Sequence, residues 1–393
     1  VIWARPLSGA REDEAHPLLT RAGLSGAERG AFTGQLEQTA VVTGLDGHSR
    51  AALEAVVGAA RLAGHRDAVV LRWSRAEVQA WCAQLSAQPE VARALSRLEV
   101  AAVPLESAEW GGRRFEWGAR THVMGVVNVT PDSFSDGGRF LAPEAAEAQA
   151  VAMVAAGADL IDVGGQSTRP GASTVSEQEE LDRVLPVIER LRRAVPATPL
   201  SIDTSRAAVA KAALAAGACL VNDVTGLQDP ELLTAAAQAG AGACAMHMQG
   251  TPQTMQRSPS YADLVGEVLD FLELALVRAE HAGLKRHQVL GDPGIGFGKS
   301  EAHNLYLLRR ISELRLLGAP ILVGTSRKSF LGGLLGGRPP AERVTASAAS
   351  VAIAAVLGGA DVVRVHDVTE TKDALAVADA VRLARGGGAL FDE

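Results

Sequence analysis

Three short apolar runs in this sequence end in acids or amides that could do chemistry: Asp203 after PLSI, Asn222-Asp223 after CLV, and Asp292 after QVLG. A carboxylate in a half-buried pocket is a good acceptor for a flat heterocycle with adjacent N–H donors. Each such charged hydrogen bond contributes about 1.5–3 kcal/mol. One Asp in such a place is often a helix N-cap, but three polar ends converging on one mouth are hard to explain as caps. Lys328 lies in Ser326-Arg327-Lys328-Ser329, and the chain has five lysines among 38 basic residues, which sets it apart from solubilising charge. Arg364 and His366 stand two apart at the end of another apolar run. On a strand they share a face and make an anion site. The competing structural role is an Arg364 paired with Asp367 or Asp361. Carboxylates for a heterocycle, a Lys and an Arg/His pair together suit group transfer with phosphate or pyrophosphate as leaving group.

The loops between these positions carry weaker signals. Asn128 leads into a polar stretch with one Phe and a Gly pair, and residues 164–171 (GGQSTRPG) combine small residues, hydroxyls and one Arg able to touch an anion. Each could also be a plain solvated connection. Residues 292–300 (DPGIGFGKS) resemble a phosphate-binding loop but fail its test. A Gly is required five residues before Gly298, and Pro293 stands there.

The elements that must position these residues follow a rhythm. From about Thr121 onward, eight apolar runs alternate with amphipathic stretches of helical period: 122–128, 159–164, 199–203, 219–224, 243–248, 288–292, 320–325 and 361–366. Their continuous apolarity predicts parallel strands covered on both faces. Eight β-α units in about 265 residues predict an α/β fold of the (β/α)8 TIM-barrel type, with function at the C-terminal ends of the strands. A doubly wound open sheet is the competitor, though it usually has fewer strands. Residues 109–117 (EWGGRRFEW) read as a β-hairpin turning at Gly111-Gly112 that could plug the barrel's lower end. The first hundred residues read as a separate small N-terminal α/β domain: strand 39–43, helix 49–63, strand 67–73, helices 75–86 and 89–97, strand 99–103. Its role is not legible, and its His48 and His65 read as surface residues. The division expected is 1–105 and 106–393.

A formal net charge of −7 argues against a nucleic-acid surface, and 47% hydrophobic with 21% charged residues is the composition of a soluble globular protein. Val1 to Pro17 lacks the apolar stretch of a signal peptide. Val344 to Ala360 is uncharged but short and weakly hydrophobic, and reads as a helix buried against a sheet rather than a membrane span. Cys82, Cys219 and Cys244 share no metal-ligand spacing and read as reduced thiols, which points to the cytoplasm.

Taken in order, the segments resemble the dihydropteroate synthase family. The residues that carry the resemblance are 124–138 (MGVVNVTPDSFSDGG), 164–171, 203–205 (DTS), 222–224 (NDV), 246–250 (MHMQG), 292–299 (DPGIGFGK), 326–329 (SRKS) and 364–367 (RVHD). The likeness spans about 109–385 and implies a pterin-binding barrel, in keeping with the strand count. It implies that Asp203, Asn222, Asp292 and Lys328 hold a pterin ring with Met246 packed against it. Asn128, Arg364 and His366 would hold pyrophosphate, with Mg²⁺ on its oxygens and Asn128 as the protein's metal ligand. Phe134, Thr168, Arg169, Pro170, Phe297 and Ser329 would shape a p-aminobenzoate site. Gln166 stands where many members have Glu, and Arg206 where a Lys is frequent, which reads as a surface exchange.

The implied reaction joins a dihydropterin pyrophosphate to p-aminobenzoate, with Asp203, Lys328, Arg364 and His366 as the catalytic set. Loss of pyrophosphate leaves a cation spread over the ring, and the amine attacks it. No covalent nucleophile is required. The expected partners are these small molecules and a second copy of the chain, with no membrane and no nucleic acid. Two alternatives stand beside this reading. One is a pterin-dependent corrinoid methyltransferase, which has no need of an Arg364/His366 anion site. The other is a pterin-binding homologue without catalysis.

Overall fold

The computed structural model describes residues 3–6, 39–58, 62–63, 68–100, 104–130, 143–166 and 175–384. The chain divides into two compact units, Val1–Val103 and Pro104–Glu393.

In the first unit, β1 (Trp3–Pro6), β2 (Thr39–Thr43), β3 (Leu62–Ala63) and β4 (Ala68–Arg72) form a sheet in the order β1-β2-β4-β3. Every pair in it is antiparallel, which the strand–helix–strand order had not indicated. Helices α1 (Gly47–Val57), α2 (Arg75–Gln84) and α3 (Pro89–Val100) join it around a core of Val42, Leu53, Val69, Leu71, Trp81 and Leu95. Two expectations fail here. The helix expected over 49–63 ends at Val57, because Gly58 takes a φ of 86° that stops it, and Leu62–Ala63 pair with β4. The strand expected over 99–103 does not begin at 99, since α3 runs on through Val100, and 101–103 lie outside the described residues. The Val91, Leu95 and Leu98 spacing of its buried side is helical.

The second unit opens with the hairpin β5 (Ala108–Trp110) and β6 (Arg113–Phe115), turning at Gly111 and Gly112 with φ of 56° and 77°. Eight parallel strands follow: β7 (His122–Asn128), β8 (Leu160–Gly164), β9 (Leu200–Asp203), β10 (Leu220–Asp223), β11 (Gly242–Met246), β12 (Val289–Asp292), β13 (Leu322–Val323) and β14 (Val362–Val365). Their order, β12-β11-β10-β9-β8-β7-β14-β13, closes through a parallel bridge from Gly291 to Ile321, so the sheet is a (β/α)8 barrel. The helices outside it are α4 (Pro143–Ala155), α5 (Glu177–Ala194), α6 (Ala207–Ala215), α7 (Pro230–Gln238), α8 (Leu264–His281), α9 (Glu301–Arg309), α10 (Ser329–Leu334), α11 (Val344–Val356) and α12 (Val368–Leu383).

The strand expected over 320–325 shrinks to two residues. Pro320 has no N–H, and the N–H of Ile321 goes to the Asp361 side chain rather than to the ladder. The strand expected over 243–248 stops at Met246, where His247 leaves the sheet. The uncharged stretch at 344–360 is helical as expected, burying Ala348, Val351, Ala354 and Ala355 but leaving Ile353 and Val356 exposed.

Side chains alternate along each strand, and this sorts the barrel interior into tiers. The lower tier is apolar: Met124, Leu160, Leu220, Cys244, Leu290, Leu322 and Val362. The hairpin seals it from below with Trp110, Phe115 and Trp117, whose rings sit 5.0 to 5.8 Å apart. Gly242 makes room, since a Cβ there would lie 2.4 Å from the Trp110 indole nitrogen. Arg113 ties the hairpin to the foot of the barrel through the buried Asp159. Two residues further along the same faces come Asp162, Asn222, Met246, Asp292 and Arg364.

A closed barrel with its own plug should not need the first unit to fold. A chain beginning at Pro104 is expected to give a cooperative thermal transition with helix and strand content matching the second unit. A molten, non-cooperative transition in circular dichroism would show that the barrel depends on Val1–Val103.

Candidate active site

The upper tier is organised around Arg364. Its Nε donates to Asp162 Oδ2 at 2.7 Å and its Nη2 to Asp203 Oδ2 at 2.7 Å. Asp162 is fully buried, and its Oδ2 also accepts from Asn222 Nδ2 at 3.0 Å. One guanidinium therefore ties together β8, β9 and β14, and β10 joins through the amide. The alternative partners for Arg364 are otherwise engaged: Asp361 pairs with Arg315, and Asp367 with Arg327. Asp162 escaped sequence reading because it lies inside the apolar run DLIDVG rather than at its end. A charge in the middle of a buried strand is the signal that could have found it, since such a charge must be paired.

Asp203 closes β9 and Asp292 closes β12. Burial pushes the Asp203 carboxyl up to about 7, against the pull of Arg364, and Asp162 nearby adds to the rise. Burial likewise pushes Asp292 up to about 6, opposed by the Gly294 N–H and by Lys328. Asp292 Oδ1 accepts from Gly294 N at 2.7 Å, while Oδ2 takes no hydrogen bond among the described residues. Asn222 and Asp223 divide their work. Asn222 serves the mouth, whereas the buried Asp223 accepts from Thr225 and Leu227 and shapes the following turn. Met246, at the end of β11, is buried directly beside Asp292 in the strand register.

Beyond Asp292 the chain makes a tight loop. Gly294 adopts a φ of 65°, and a Cβ there would fall 1.8 Å from the His247 carbonyl oxygen, so only glycine fits. The buried Lys299 ammonium gathers this loop by donating to Gly294 O and Phe297 O, with His247 Nδ1 at 2.9 Å. Lys299 is a second position that sequence reading passed over. The loop carries Phe297, and the Lys328 ammonium lies 3.8 Å from the centre of its ring. Ser329 is the first residue of α10, directly after Lys328.

His366 follows β14, and its Nδ1 is 3.0 Å from Ser326 Oγ. Burial, then Arg364 and Arg327, lower it to about 3, so the ring is neutral at physiological pH. Of the pair read as an anion site, Arg364 therefore carries the charge, and His366 in the empty site is a neutral ring able to donate a hydrogen bond. Asn128 is half-buried at the end of β7, in register with Gly164, and Gly164 with Asp203. Arg206 is not a surface exchange. Its guanidinium holds the buried Glu180 at 2.7 Å and also reaches Val175 O, tying the start of α6 to the stretch that leads into α5. Phe134, Thr168, Arg169 and Pro170 lie outside the described residues; Gln166 is half-buried at the edge of that gap.

A family model described as pterin binding enzyme matches residues 124–366. The dihydropteroate synthase of Synechocystis sp. is 51% identical over 272 residues, 69% of this chain and 93% of that protein. The chain belongs to the dihydropteroate synthase family. Among solved structures, Yersinia pestis dihydropteroate synthase in complex with a sulfonamide drug superposes with a TM-score of 0.67 at 48% identity, covering 71% of this chain and 100% of the other. Xanthomonas albilineans dihydropteroate synthase with 4-aminobenzoic acid gives 0.66 at 46% identity, covering 72% and 100%. The matched residues fall within the barrel unit and include the pocket built on Arg364. Membership in a synthase family removes the need for the corrinoid methyltransferase alternative.

The two raised carboxyls carry a stability consequence with a definite sign. A group whose pKa is higher folded than unfolded favours folding below the unfolded value, and that contribution is lost as pH rises through the folded value. For Asp292 the window runs from about pH 4 to about 6, and two pH units correspond to about 3 kcal/mol. Asp292→Asn should therefore stabilise the empty protein at pH 8, by up to that order, and change little at pH 4. Equal denaturation midpoints for the two proteins at pH 8 would mean that Asp292 is not an uncompensated buried carboxyl.

Proposed function

We propose that this chain condenses 6-hydroxymethyl-7,8-dihydropterin pyrophosphate with p-aminobenzoate, giving 7,8-dihydropteroate and pyrophosphate. The observation that carries the reading is the set of acceptors at the barrel mouth: Asp203 held by Arg364, Asn222 held by Asp162, and Asp292 held by the Gly294 N–H. A pterin ring offers adjacent N–H and NH₂ donors, and the free Oδ2 of Asp292 suits them. Met246 supplies an apolar wall.

The reaction breaks the bond between the pterin methylene carbon and the pyrophosphate oxygen, and the electron pair leaves with the oxygen. The amine nitrogen of p-aminobenzoate forms the new bond to that carbon and then gives up a proton. As the C–O bond opens, positive charge spreads into the ring. Carboxyls poised near neutrality respond to it, because a cationic ring favours their ionised forms most strongly in the transition state. Arg364 and the neutral His366 are assigned to the anionic end of the substrate with Asn128, and Lys328 to the ring. Phe297 and Ser329 contribute to the p-aminobenzoate side, where the family pattern also places Phe134, Thr168, Arg169 and Pro170.

Mg²⁺ fits this donor set in one way. The described residues hold no cluster of three His, Cys, Asp or Glu side chains able to grip a metal, and Asn128 supplies a hard amide oxygen. The ion would therefore be held largely by the pyrophosphate oxygens, a mode usual for Mg²⁺, with Asn128 beside it. When bound it would supply positive charge against the leaving group.

Turnover of the two substrates to dihydropteroate is the direct test, and its absence in folded protein would favour a non-catalytic homologue. Asp292→Asn should lower pterin affinity by about 2–3 kcal/mol, because an N–H donor would face the ring's own donors. Unchanged affinity in calorimetry would remove Asp292 from the pterin site.

We also read the protein as a cytoplasmic homodimer without a nucleic-acid partner. Its three cysteines are free thiols, and among the described residues no helix is long and apolar enough to cross a membrane. Helices α11 and α12 pack side by side and expose Ile353, Val356, Val377 and Val381, the last two at 66% and 59%. Apolar side chains this exposed on adjacent helices suit a self-complementary contact. Sedimentation should give twice the chain mass, and Val377→Asp with Val381→Asp should shift it toward the monomer. A monomeric parent protein would end this reading.

A further inference from the structure

The end of β13 and the end of β14 are strapped together twice. Ser326 Oγ accepts from the backbone N–H of His366 at 3.1 Å and lies 3.0 Å from the His366 ring Nδ1. One residue further along both segments, the Arg327 guanidinium pairs with the Asp367 carboxylate. Arg327 itself adopts a φ of 57°, a left-handed conformation that costs a branched or long residue energy and persists only where the surroundings enforce it. The surroundings do so here: Arg327 N donates to Ser347 Oγ, and Arg343 Nη1 donates to the carbonyls of Arg327 and Lys328. Ser326 is buried and held in place from both sides.

The surroundings of the Ser326 hydroxyl favour one place for its proton. The backbone N–H of His366 can only donate, so Ser326 Oγ is its acceptor. Among the described residues the hydroxyl hydrogen then has one acceptor within reach, His366 Nδ1. A nitrogen that accepts cannot carry the ring proton, which must sit on Nε2.

We propose that Ser326 is a positioning residue that locks His366 in the Nε2–H tautomer, so that the ring meets the pyrophosphate group as a neutral donor. The proposal rests on the reading that His366 faces that anion. In the opposite tautomer Nε2 would present a lone pair to the anion and repel it. The neutral state is maintained by the burial of the ring beside Arg364 and Arg327. A chain lacking the hydroxyl would leave the ring free to choose either tautomer and would also orphan the His366 N–H.

Ring ¹⁵N shifts of histidine-labelled protein at pH 7, with the His366 signals assigned by His366→Gln, test the lock directly. The intact protein should show a protonated Nε2 and a bare, hydrogen-bonded Nδ1. Ser326→Ala should move proton population to Nδ1, and Ser326→Thr, which keeps the hydroxyl, should not. A protonated Nδ1 in the intact protein, or no change in Ser326→Ala, overturns the lock. Kinetics then separate the lock from the reading beneath it. Ser326→Ala should lower kcat/KM by about tenfold or more, the usual cost of losing a partner that orients a histidine, and should add nothing further in a His366→Gln background. Full additivity of the two substitutions would overturn the claim that Ser326 acts through His366. If His366→Gln alone leaves kcat/KM unchanged while the tautomer shift is seen, the placement of His366 at the anion fails and the lock itself stands.

Discussion

The pairing of Arg364 with Asp162 and Asp203 is the interaction on which the rest of the site depends. A barrel interior is a poor place for a carboxylate, and this one holds Asp162, Asp203 and Asp292 in its upper tier. Asp162 and Asp203 are tolerated because a guanidinium stands between them with two of its nitrogens committed, while Asp292 is held by the Gly294 N–H. Removing one member of such a buried set typically costs about 3–5 kcal/mol, since the others are left unpaired. The set also fixes geometry. Asp162 accepts from Arg364 and Asn222 through a single oxygen, so the positions of three functional side chains on β8, β10 and β14 are referred to one atom.

That arrangement needs a dry floor. Water entering from below would solvate the carboxylates and return their affinities for protons to ordinary values. The apolar lower tier and the Trp110, Phe115 and Trp117 plug exclude it, and the salt link from Arg113 to Asp159 keeps the hairpin in place. Burial is the leading cause of the raised pKa values of Asp203 and Asp292, and the sealed floor is one wall of the interior in which they are buried. The sequence feature responsible is modest: two glycines able to take positive φ between aromatic residues.

How much of this was legible in the sequence depends on where each residue sat relative to its strand. Asp203, Asn222 and Asp292 were legible because a polar residue ending an apolar run has few structural explanations. Asp162 was not, because inside a run it counts as an interruption of the pattern rather than part of it. Arg206 was misjudged for a similar reason: exposure was inferred from composition, and the buried Glu180 that it neutralises is distant in sequence. The barrel's eight strands were visible through their continuous apolarity, but the shortness of β13 was not, since a side chain, Asp361, takes over the role of a ladder partner. The antiparallel order of the first unit had no signature, because β1 and β2 are joined by a long segment and pair across it.

The loop after Asp292 carries the argument one step further. Under the proposed function Asp292 would meet the pterin ring, and Phe297, five residues on, packs its ring against the Lys328 ammonium. Between them the backbone turns at Gly294 and Gly296, each at positive φ, and the Lys299 ammonium has Gly294 O, Phe297 O and His247 Nδ1 within hydrogen-bond distance. Burial lowers Lys299 to about 7 and His247 to about 2. His247 is therefore a neutral acceptor, and Lys299 holds the loop most firmly when protonated. Phe297 N donates to Gly294 O at 3.0 Å and Gly294 N to Asp292 Oδ1 at 2.7 Å, so two backbone donors link Phe297 to Asp292. If the two substrates bind as proposed, this short, internally braced segment would help set the spacing between the reacting carbon and the attacking amine. Rigid spacing of this kind lets two bound molecules react at the high effective concentration that their chemistry requires.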